Sequence, residues 1–122
     1  MKLIAYGMAA MLCCAAPLPA AAQIAGNWHL AANIAGNDFA LDCNFVPQGA
    51  ALTGACSTAN HQGHVYTLDR GVVEGAAVRF SYPASYLFLH FDMHYAGTLA
   101  GDQITGTVEA EGRRGTFLAT RE

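Results

Sequence analysis

From Trp28 to Arg121 large apolar side chains recur at every second residue, in short runs separated by glycine-rich punctuation. The clearest run is Leu87-Phe-Leu-His-Phe-Asp-Met-His-Tyr95. Leu87, Leu89, Phe91, Met93 and Tyr95 fall on one face, and His90, Asp92 and His94 on the other. Period two marks a strand with one side in a core and one in water. Trp28, Leu30, Ala32 and Ile34 alternate in the same way, as do Phe39, Leu41, Cys43 and Phe45, and then Leu52, Gly54 and Cys56. The run 64–73 is less regular, with Arg70-Gly71 as an interruption and Gly71 as a bulge or kink. Val78, Phe80 and Tyr82 follow, with Pro83-Ala84-Ser85 leading into the Leu87 run. Ile104, Gly106, Val108 and Ala110 form the next, and residues 115–121 the last. No stretch after Gly26 has a helical period. The pattern predicts an all-β fold of eight strands joined by short connections, an antiparallel up-and-down meander. Eight is also the number at which a sheet closes into a small barrel and loses its exposed edges.

The first residues follow another rule. Lys2 precedes an apolar run to Pro17, and Ala20-Ala21-Ala22 suits cleavage before Gln23, so residues 1–22 read as a secretory signal peptide. The run is short of the roughly 20 apolar residues that span a bilayer. Leu12 and Cys13, which precede Cys13 and Cys14, are not the small residue of a lipoprotein signal. Residues 23–122 are then one domain with a modest core and no membrane span, in the periplasm or secreted.

Processing removes Lys2, the single lysine, and leaves five arginines against nine carboxylates, a formal charge of −4. There is no basic patch to hold nucleic acid or an anionic membrane surface. Cys43 and Cys56 survive, both on inner faces of adjacent strands whose facing Cβ atoms come within about 4.5–5.5 Å. In an oxidising compartment the pair reads as a disulfide. Neither has the Cys-x-x-Cys neighbour of a redox or metal thiol.

Gly26-Asn-Trp28 near the start and Arg121 in the last strand carry a resemblance to the calycin superfamily, which includes lipocalins, fatty-acid-binding proteins and avidins. The resemblance implies that Trp28 plugs one end of the barrel with Arg121 stacked on its indole, a structural role. Leu52-Thr-Gly54 is similar to an avidin strand, but avidin pockets need several tryptophans and Trp28 is the only one, so biotin binding does not carry over. Small exported inhibitors of bacterial metalloproteases are similar too. Their inhibitory arm precedes the barrel, where this chain has Gln23-Ile24-Ala25.

Three chemistries compete for the functional role. The aromatic set Phe39, Tyr66, Phe80, Tyr82, Phe91 and Tyr95, with Met93 and Phe45, either fills the barrel as core or lines a lumen for a small hydrophobic molecule with a polar tip. His90-x-Asp92-x-His94 places three metal-ligand types about 6.5–7 Å apart on one strand face. Such alternation ordinarily means a solvated outer wall, and metal binding follows if the trio points inward. His61-x-x-His64 is a second metal-like spacing, with His64 in phase with Tyr66 and Leu68 and hence on an inner face. The third is an interaction barrel whose loops do the work. Asp38 and Asp42 read as solvated. No nucleophile motif marks an enzyme, and no phosphate loop or other motif asks for a cofactor.

Overall fold

The computed structural model describes residues 23–58, 64–86 and 88–122. The signal-peptide reading of 1–22, and with them His61 and Leu87, lie outside these residues. The described residues form nine strand segments: β1 (Gly26–Ile34), β2 (Asn37–Gln48), β3 (Ala51–Thr58), β4 (Val65–Thr67), β5 (Arg70–Glu74), β6 (Ala77–Tyr86), β7 (Leu89–Ala100), β8 (Gln103–Ala110) and β9 (Arg113–Arg121). All ladders are antiparallel and join neighbours in sequence, except that β4 and β5 both pair with β3 and not with each other; β9 returns to pair with β1, so the sheet closes on itself.

β4 and β5 are halves of one bent strand, which makes the wall an eight-stranded barrel. The bend falls at Leu68–Asp69 rather than at Arg70-Gly71. Successive amides there point to opposite neighbours, Leu68 N–H to the Gly54 carbonyl of β3 and Asp69 N–H to the Ser81 carbonyl of β6. Gly71 lies on β5 where β3 approaches closely. A Cβ on it would sit 2.3 Å from the Leu52 carbonyl oxygen, so a side chain would push β3 and β5 apart.

β6 also runs further than its sequence suggests, through Pro83-Ala84-Ser85 to Tyr86. Proline inside a strand is tolerated where its missing N–H faces no partner. That condition is met here. The Ser81 carbonyl faces β5, and two residues on Pro83 turns to the same side with no amide hydrogen to give, while its other side pairs with β7 opposite Asp92. The β5–β6 ladder ends at Arg70↔Ser81, and no ladder joins β4 to β6. Among the described residues the wall therefore has a lateral gap beside Pro83.

Alternation decides the two faces as expected. In β7 Met93, Tyr95 and Leu99 are buried, and His90, Asp92 and His94 are exposed. Cys43 and Cys56 face each other across β2 and β3 and form a disulfide at the inner wall.

Candidate functional site

One end of the barrel is shut. Trp28 on β1 is fully buried and its Nε1–H donates to the Ile24 carbonyl at 2.8 Å, which folds the segment before β1 across the opening. Arg121, opposite Trp28 in the β1–β9 ladder, holds its guanidinium 4.4 Å from the indole centroid. The same guanidinium donates to the carbonyls of Ala25 and Gln23 and to the Asp102 carboxylate. Four groups thus converge on one cation.

Above the plug the lumen is filled by aromatic rings. Phe80 stacks on Tyr95 with centroids 4.6 Å apart, Phe45 meets Phe80 edge-on at 5.1 Å, and Phe117 meets Tyr95 edge-on at 5.4 Å. Phe80 and Tyr95, two of the residues expected to line a lumen, therefore belong to the packed half. Tyr95 and Tyr82 join hydroxyls at 2.6 Å, and Tyr82 stacks on Tyr66 at 4.8 Å. His64 lies against Tyr66 at 4.7 Å but is exposed at the rim, because it precedes the three-residue β4 and stands outside the closed part of the wall.

The other end is open. A cavity of about 720 Å³ occupies it, lined by Phe39, Leu41, Tyr66, Tyr82, Phe91 and Met93, with Asp38, Glu111 and Arg113 at the rim. Five of the seven expected lumen residues, Phe39, Tyr66, Tyr82, Phe91 and Met93, share it. Two tight hairpins frame the mouth. Ala35-Gly36 and Glu111-Gly112 both take positive φ at each central residue, the primed turn whose twist matches that of the strands. Leu89 adds to the lining although it is half exposed, and Phe88 at the tip of the β6–β7 connection is almost wholly so.

Burial, foremost, pushes both Tyr82 and Tyr95 well above the ordinary phenol value, and for Tyr95 the neighbouring Tyr82 adds to it. Below the ordinary value of 10.0 both are neutral whether the chain is folded or not, and their burial is not opposed by charge. Above it the unfolded chain ionises first, so stability falls as pH rises. The pair is held by one hydrogen bond, which gives a prediction. Tyr95→Phe leaves the Tyr82 hydroxyl buried without that partner and is expected to cost about 1–3 kcal/mol in urea unfolding, whereas adding Tyr82→Phe should cost little further.

The metal-like trio is not assembled. His90, Asp92 and His94 stand on the outer wall, opposite Ser85, Pro83 and Ser81 of β6. His90 and Asp92 border a groove of about 380 Å³ over the lateral gap together with His64, while His94 opens onto other grooves. Among the described residues, the trio of histidine and carboxylate side chains whose ligand atoms all lie within 4.8 Å of one another is a different one, His29, Asp42 and Glu122. Sequence spacing missed it because its members come from β1, β2 and the residue after β9, far apart along the chain. No helix of the described residues is long and apolar enough to cross a membrane. No protein-family model matches the chain, and no curated protein matches it in sequence.

Proposed function

We propose that the barrel is an exported carrier or sensor that holds a small hydrophobic or aromatic molecule in its open half. In this reading residues 1–22 direct export, residues 23–122 work in the periplasm or outside the cell, and the disulfide suits that oxidising compartment. The barrel is of the calycin type, with Trp28 and Arg121 as its plug.

The observation that carries the proposal is the cavity itself. At about 720 Å³ it falls in the range of small-molecule pockets, roughly 300–1,000 Å³, and its lining is mostly aromatic and aliphatic. A barrel filled by its own side chains to both ends would have no such space. The Tyr82–Tyr95 pair adds chemistry to the floor. Two hydroxyls carry two hydrogens, and the bond between them uses one. Of the two, Tyr82 lines the cavity, and with Tyr95 as the donor between them the free Tyr82 hydrogen suits an acceptor on the ligand, a carbonyl, ether or carboxyl oxygen. Apolar contact supplies the affinity and the floor the orientation.

Titrating the purified protein with N-phenyl-1-naphthylamine and with a dansyl-labelled fatty acid tests this. The expected result is saturable one-to-one fluorescence enhancement. Ala84→Trp, which fills the mouth from β6, should weaken it by about tenfold or more, equivalent to about 1.4 kcal/mol, without lowering the melting temperature. Absence of saturable enhancement with both probes contradicts the proposal.

A further inference from the structure

On the outside of the barrel, away from the mouth, β1, β2 and the end of the chain after β9 bring an imidazole and two carboxylates to one point. His29 of β1 stands opposite Asp42 of β2, and its Nδ1 lies 3.1 Å from the Asp42 Oδ1. Glu122 extends β9 by one residue, its N–H donating to the Asn27 carbonyl of β1. Thr120, two residues earlier, pairs with His29, so the Glu122 side chain projects on the same outer face. One imidazole nitrogen and two carboxylate oxygens all fall within 4.8 Å of one another.

Two carboxylates at that separation repel, and either a shared proton or a bound cation offsets the repulsion. The nearest candidate in sequence, Arg121, points the other way, into its contacts with Trp28, Asp102 and the segment before β1. Among the described residues Asp42 pairs with His29, which is charged only when protonated, and no arginine forms an ion pair with Asp42 or Glu122. Beside the carboxylates the wall has a depression of about 300 Å³, bordered by Asn27, Asn44 and Ser57, with room for water or a further ligand. Asn44 donates to Asn27 across the next rung of the same ladder, which fixes the polar floor of that depression.

We propose that His29, Asp42 and Glu122 form a binding site for a divalent transition metal of the zinc class, with at least one coordination position open to solvent. The mixed nitrogen and oxygen set suits such an ion. Hard cations such as calcium and magnesium prefer oxygen alone, and cuprous ion prefers sulfur. Metal–ligand distances of about 2.0–2.2 Å require the three ligand atoms to stand about 3–3.5 Å apart, a small contraction of side chains that are only partly buried. A strand-borne site of this kind also ties the end of β9 to β1 and β2, beside the closed end of the barrel.

The test is isothermal titration of the purified protein with Zn²⁺ alone, in a buffer free of chelators. One equivalent is expected to bind. His29→Ala and Asp42→Asn should each weaken it by more than about tenfold while leaving the thermal melt of the metal-free protein close to that of the parent, since both side chains face solvent. His90→Ala is the control and should leave binding unchanged. No binding by the parent, binding indifferent to both variants, or binding lost in His90→Ala overturns the proposal.

Discussion

A Trp28→Ala chain is expected to lose most of its stability. The indole is fully buried at the closed end, and nothing in a barrel wall can collapse into the space it leaves, because the strands are tied to one another all round. Truncating a large buried aromatic side chain costs about 3–5 kcal/mol. The contact with the Arg121 guanidinium, a partly exposed cation, adds about 0.5–1 kcal/mol. The Ile24 carbonyl also loses its donor, so the segment across the end is released. Against the roughly 5–15 kcal/mol typical of small domains, such a loss leaves a marginal fold. Thermal unfolding followed by far-ultraviolet circular dichroism should fall by tens of degrees, at about 4–8 °C per kcal/mol. Trp28→Phe should fall between variant and parent. A shift of only a few degrees in Trp28→Ala would show that the end is not held by this plug.

The second large effect belongs to the disulfide. Cys43 and Cys56 are 13 residues apart and both are buried. Closing a loop of about that length removes conformational freedom from the unfolded chain worth about 3 kcal/mol. The Cys43→Ala/Cys56→Ala double variant should therefore unfold at lower urea concentration, by a free energy of about 3 kcal/mol, with part of the change arising from lost inner-wall packing. The bond lies within the β2–β3 ladder, where Cys43 and Cys56 are a facing pair. Its removal should loosen that ladder first, which amide exchange at Asn44, Phe45 and Ala55 would report. Equal stability of parent and double variant would remove the disulfide from the account.

Much of the wall was legible because a strand obeys one local rule. Alternation in β7 alone separates buried Met93 and Tyr95 from exposed His90, Asp92 and His94, and the same rule brought Cys43 and Cys56 to facing positions. What was not legible depends on register or on who lies beside whom. Pro83 reads locally as a strand breaker, yet it sits within β6, because the neighbour that would need its N–H is absent. Phe80 and Phe91 are indistinguishable as inward aromatics. Their depth differs, and depth follows from the tilt of the strands, so one is packed and the other borders the cavity. His29, Asp42 and Glu122 carry no spacing motif at all. They meet only because β1 pairs with β2 on one side and β9 on the other.

The lateral gap adds a feature that a fully zipped barrel would lack. Where β4 and β6 separate, Tyr66, Ala84, Ser85 and Phe91 border both the open cavity and the outer groove. Strand edges left unpaired are ordinarily covered or charged, and here a proline does part of that work.

The ligand proposal has reporters built into the sequence. Between residues 23 and 122 Met93 is the only methionine and Trp28 the only tryptophan, one on the cavity and one in the plug. Labelling the methionine methyl carbon and the indole nitrogen gives one resonance from each end. Titrated with N-phenyl-1-naphthylamine, the Met93 methyl signal should move and saturate with the fluorescence while the Trp28 indole signal stays in place. A probe that binds without moving Met93, or that moves Trp28 alone, would contradict the open half of the barrel as the binding site.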